Sequence, residues 1–144
     1  MPSEDTVKLL KECNAGVKTA VASFDEVLPS VQDHNLKELI IHNKEAHEKL
    51  GDKTHGLLME YHDTEKDPNP MAKVMSWMKI NMKMMKEEED QAIADVLTDG
   101  CNMGIKSLFR YKNQYPNADK EIIEIADSLI NLEEGLQVAL RTYL

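Results

Sequence analysis

MAKVMSWMKINMKMM, residues 71–85, holds six of the nine methionines in the chain. Five of them, Met71, Met75, Met78, Met82 and Met85, are spaced by four, three, four and three residues. At 100° per residue the five fall within about 80° of arc, and Val74 joins them, which predicts a helix with one continuous thioether face. A helix of about 16 residues covers roughly 24 Å, enough to carry a chain from one end of a small bundle to the other. HDTEKDPNP, residues 62–70, is a loop by composition, and KEEED, residues 86–90, breaks the helical pattern again.

Four longer helices surround this segment. Ser3, followed by Glu4 and Asp5, makes an N-cap with acids in the first turn. Leu10, Cys13, Asn14, Val17, Val21, Phe24 and Leu28 then share one face, until Pro29 stops the helix. Asn35 with Glu38 resembles a capping box for a second helix, with Leu36, Ile40, Asn43, His47, Leu50, Thr54, Leu58 and Tyr61 inward. A third begins near Asp90 and turns Ile93, Leu97, Gly100, Cys101, Gly104, Leu108 and Tyr111 inward. After the turn QYPNAD, a fourth runs from about Asp119 with Ile122, Ile125, Leu129, Leu132, Leu136, Leu140 and Tyr143 inward. There is no period-two strand pattern and no internal repeat. Short turns make two antiparallel hairpins, and the methionine helix is the long link between them. The expected fold is therefore all-α: a ferritin-like four-helix bundle with an additional crossover helix between its second and third helices, in one domain spanning residues 1–144.

The run WMKINMK (77–83), followed by IADVLTDGCNMGIKSL (93–108) and a proline-marked turn, resembles an uncharacterised bacterial family of ferritin-like proteins, a domain of unknown function. The Asn14-Ala15-Gly16 stretch and the pattern ending at Leu50 are similar to it as well. The resemblance spans nearly the whole chain. It implies the fold, and no reaction.

Composition narrows the function. The chain has 144 residues, 42% of them hydrophobic and 30% charged, with a net charge of −9. That is large enough for one real core, and too acidic for a duplex-binding surface, so no nucleic-acid partner is expected. No run approaches the roughly 18 apolar residues of a membrane span, so no membrane insertion is expected. The N-terminal MPSEDTVK lacks the pattern of a signal peptide, and a cytoplasmic location is expected. Two cysteines, Cys13 and Cys101, make no disulfide framework.

The methionine stripe admits three readings. A soft-metal site needs exposed thioethers in short clusters or beside histidine, and no histidine follows His62. A membrane-seeking face has Trp77, Lys73, Lys79, Lys83 and Lys86 in its favour, and the following EEED and overall acidity against it. Packing of the crossover helix against the bundle suits a flexible gap-filling side chain best. Trp77, Ile80 and Met84 then remain on other sides of the helix, and a second copy of the chain would cover them. A homodimer with these three residues at its interface is expected.

Ferritin-like di-metal sites use a Glu-x-x-His pair on each of two helices. The residues three before His34, His42, His47, His55 and His62 are Val31, Leu39, Lys44, Asp52 and Met59, so the motif is absent. A smaller inward polar set remains: Cys13, Asn14, Asn43, His47, Cys101 and Glu133. If these shared one layer, Cys13, His47, Cys101 and Glu133 would suit a single zinc or iron ion. The alternative is a polar layer that fixes helix register. Gly100 and Gly104 are expected to let a neighbouring helix approach closely, or else to leave a cavity. With no phosphate loop and no nucleophile elbow, the sequence favours a non-catalytic structural or interaction protein. A metal-binding or redox protein is the alternative.

Overall fold

The structure, a computed structural model, describes residues 2–61 and 89–144. These residues form four helices: α1 (Glu4–Val27), α2 (His34–Glu60), α3 (Glu89–Gln114) and α4 (Lys120–Leu140). Each end has a local cause. Ser3 caps α1 by accepting from the Thr6 N–H at 3.2 Å. Pro29 turns the chain into a short 3-10 segment, Leu28–Ser30. For α2 the cap is Asp33, which accepts from the Leu36 N–H at 2.9 Å. The helix thus begins ahead of the expected Asn35, because the carboxylate one residue before His34 reaches the third N–H of the first turn.

Two ties set the directions of the helices. The backbone N–H groups of Gln32 and Asp33 donate to the two carboxylate oxygens of Asp90, at 2.8 and 2.9 Å. The starts of α2 and α3 therefore lie together. Ser3 Oγ donates to the Asn117 carbonyl, the Asn117 N–H to Asp5, and the Asp119 N–H to Thr6 Oγ1 at 2.8 Å. The starts of α1 and α4 therefore lie together at the other end. Accordingly α1 runs parallel to α4 and α2 to α3, and each hairpin, α1–α2 and α3–α4, is antiparallel. The most extensive packing is within the hairpins, while α1 also packs on α3 and α4, and α2 on α4. α2 and α3 are diagonal and barely touch. This is a four-helix bundle. Residues 71–85 lie outside the described residues, as does the expected crossover helix. Among the described residues no helix is long and apolar enough to cross a membrane.

The core divides into two clusters along the bundle axis. One, around Leu10, Cys13, Leu58, Ile122, Ile125 and Leu129, fills the end where α1 and α4 begin. The other, around Phe24, Leu36, Ile40, Ile93, Cys101 and Leu136, fills the opposite end. Most positions expected to face inward are buried; Val21, Leu28, Asn43, Leu50, Tyr61, Gly104, Tyr111, Leu132 and Tyr143 are only half-buried, and Gly100 is exposed. Gly51 marks a close approach of α1 to α2, since a Cβ there would come within 2.9 Å of Val17 Cγ1. Beside it Asn14, fully buried, accepts from Thr54 Oγ1 at 2.7 Å, while its amide Nδ2 finds no acceptor among the described residues.

Candidate functional site

His47 on α2 and Glu133 on α4 meet where the two clusters join. Both side chains are buried, and His47 Nε2 lies 3.0 Å from Glu133 Oε1. The other ring nitrogen, Nδ1, is 2.7 Å from the Asn43 carbonyl. A carbonyl only accepts, so Nδ1 carries a hydrogen. The Nε2–Oε1 contact then needs one proton between the two atoms. Whether the pair is imidazolium and carboxylate or imidazole and carboxylic acid, it is neutral as a whole. That carbonyl belongs to the α2 backbone one turn before His47; the Asn43 side chain, half-buried, donates its amide to the Leu39 carbonyl. The Phe24 ring meets the imidazole edge-on, with centroids 5.2 Å apart at 74°. Such aromatic contacts contribute about 0.5–1.5 kcal/mol.

Cys101 on α3 completes the group. Burial raises its pKa most, and the Glu133 charge and a hydrogen bond to Glu133 raise it further. The thiol therefore stays protonated and donates toward the carboxylate. A relay of hydrogen bonds runs from the Asn43 carbonyl through His47 and Glu133 to Cys101, linking α2, α4 and α3.

Cys13 does not join them. It belongs to the other core cluster, and burial, then Glu12 and Asp127, push its thiol up to about 12. Of the four residues expected to share a layer, three come together and the fourth sits further along α1. Periodicity within one helix cannot report the level at which another helix meets it. Among the described residues no group of three or more His, Cys, Asp or Glu side chains is arranged to hold a metal ion. Trp77, Ile80 and Met84 lie outside the described residues.

The relay ends at a cavity of about 450 Å³ between α1, α3 and α4. Ala15, Gly16 and Ala20 on α1 and Gly100 and Gly104 on α3 provide its small-residue walls. Phe24, Leu97, Leu108, Leu129 and Leu136 provide apolar bulk, and Cys101 and Glu133 also line it. Gly100 was expected to face inward with Gly104. It is exposed, and a Cβ there would meet nothing within 4 Å. Gly104 sits against Glu133, its nearest Cβ contact being 3.7 Å. Gly100 and Gly104 thus border the same open space as the small residues of α1. A stripe of small side chains at Ala15, Gly16, Thr19, Ala20 and Ser23 was the readable signal for this on α1.

No family model matches the sequence, and no curated protein matches it. Among solved structures, the crystal structure of a DUF305 fragment from Deinococcus radiodurans is similar, with a TM-score of 0.77 over 98% of this chain and 95% of that one. Identity is 9%, so the likeness is one of fold, shared with a domain of unknown function.

Proposed function

We propose that the chain is a non-catalytic binding protein, a ferritin-like bundle in which α1, α3 and α4 shape a site for an apolar small molecule. One observation carries this reading: a cavity of about 450 Å³ with mainly apolar walls and a few convergent polar groups, which is the ordinary form of a ligand site. The ferritin-like connectivity is supported by the parallel pairs α1/α4 and α2/α3. It is also supported by the positions of Tyr61 and Glu89 at opposite ends of the bundle, which a single long connection would join. The non-catalytic reading is supported by the protonated state of the Cys101 thiol, which leaves the cavity without a thiolate nucleophile.

The test is binding of a neutral solvatochromic dye, Nile red. Its emission is expected to shift to the blue with saturable, micromolar binding. Gly100→Phe is expected to lower the affinity at least about tenfold, because Gly100 lines the cavity and a ring there has open space to occupy at its wall. The variant keeps its fold, since it also removes a helix-interior glycine that costs about 1 kcal/mol relative to alanine. Absence of binding, or equal binding by the variant, overturns the reading.

A second reading, a zinc or iron site, is favoured by the meeting of His47, Glu133 and Cys101. A metal would have to take the Cys101 proton, against burial and the neighbouring carboxylate, and part His47 from Glu133. Elemental analysis of protein purified without a histidine tag decides this. About one metal per chain, lost in Cys101→Ala, would replace the ligand-cavity proposal. The same sample gives the mass in solution. Pairing of two copies through Trp77, Ile80 and Met84 rests on the sequence argument, and a monomer at micromolar concentration would end it.

A further inference from the structure

We propose that the cavity takes an apolar amine, with the alkyl or aryl body against the α1–α3 walls and the protonated nitrogen at Glu133. This deepens the reading of the cavity as a ligand site and rests on it. The argument is one of charge and of hydrogen-bond supply.

The described residues lining the cavity include two acids, Glu12 and Glu133, and no lysine, arginine or histidine. The His47–Glu133 pair is neutral as a whole, but it is oriented. Its carboxyl end lines the cavity, and its imidazole lies behind, among α2 and Phe24. A ligand in the cavity meets the acceptor end of that dipole.

Two of the four hydroxyls on the cavity wall, Thr19 and Ser23, repeat the pattern. Thr19 Oγ1 donates to the Ala15 carbonyl at 2.9 Å, and Ser23 Oγ donates to the Thr19 carbonyl at 2.9 Å. Each has spent its only hydrogen on its own helix and offers lone pairs alone to the cavity it lines. Carboxyl and hydroxyl oxygens together call for a donor. An ammonium group supplies three N–H donors and a positive charge; an alcohol supplies one donor and no charge; a carboxylate supplies neither. A fatty acid or a phosphate brings an anion to the acceptor end of that dipole and offers no donor to Glu133, so the groups that select the amine disfavour it.

Calorimetric titration of the full chain at neutral pH with submicellar decylamine, 1-decanol and decanoate tests this, because the three share one tail. Decylamine is expected to bind at least about tenfold more tightly than decanol, with decanoate weakest. Glu133→Gln is expected to bring decylamine down to the decanol level. Glutamine suits the position, since its amide can donate to His47 Nε2 while its carbonyl accepts from Cys101. If that variant fails to fold, the order of the three head groups on the unmodified protein still decides. An amine no tighter than the alcohol, an amine preference that survives in Glu133→Gln, or one that survives in Gly100→Phe, overturns the assignment. The last of these would mark attraction to the acidic surface. In the first two cases decanol binding keeps the cavity reading alive; failure of all three compounds to bind removes both.

Discussion

Replacing His47 with alanine is expected to lower the unfolding free energy by about 3–5 kcal/mol, the usual cost of removing one partner from a buried pair. His47 is 0% exposed and Glu133 8%, so the pair is broken inside the bundle. The variant leaves the Glu133 carboxyl with the weak thiol donor of Cys101 and strips Phe24 of its edge contact. The Asn43 carbonyl loses its donor as well. Domains of this kind are stable by about 5–15 kcal/mol, so the change is a large fraction of the whole. The instructive variant is the double one, His47→Leu with Glu133→Leu. Apolar residues of similar volume often replace a buried pair at little or no cost. Urea unfolding of the two single leucine variants and the double should show the double more stable than either single. Singles that each cost less than about 1 kcal/mol would mean that the two side chains do not depend on one another.

The second large effect lies in alkali. An unfolded thiol has its ordinary value of 9.0, whereas folding pushes Cys13 up to about 12 and raises Cys101 as well, in both cases chiefly through burial. Above pH 9.0 the unfolded chain releases thiol protons that the folded chain keeps. The unfolded state then binds fewer protons, so stability falls as pH rises; it is fully present below that pH. Each cysteine is expected to shift the unfolding constant by up to about tenfold per pH unit within this window. Lys44 and Tyr61, whose pKa values are also raised in the folded chain, add a background of the same sign. The cysteine share is therefore read as a difference. Urea midpoints of the unmodified protein and of Cys13→Val and Cys101→Val, followed through the alkaline range, should show a shallower decline in each variant. Parallel declines would place both thiols in contact with water.

Helix ends and faces were legible in the residues. Pro29, Ser3 and Asp119 mark boundaries, and the 3.6-residue period placed His47, Cys101 and Glu133 inward. The level of each residue along the bundle was not legible. Cys13 and Cys101 both face inward from their helices, yet lie in different clusters, because the vertical offset of two helices is set by contacts between them that neither helix's own period reports. The cavity was half legible. Gly100 and Gly104 announced either close packing or space, and the outcome depended on the small residues Ala15, Gly16 and Ala20 of α1, which line the same cavity. Asp90 shows a further gap: next to three glutamates it reads as part of a solvated break, and only the fold brings it to the N–H groups of Gln32 and Asp33.

That carboxylate also says something about the order in which the molecule assembles. The Asp90 bonds span 58 and 57 residues of sequence, and the bonds from Asn117 and Asp119 to Asp5 and Thr6 span 112 and 113. Each hairpin can zip from its own turn with contacts close in sequence, and such contacts form early. None of the four bonds exists within a hairpin; all of them join one hairpin to the other. The amides of Gln32, Asp33, Asn117 and Asp119 thus stay open to solvent hydrogen until the hairpins have docked. One pair of amides at each end of the bundle records the moment that end closes.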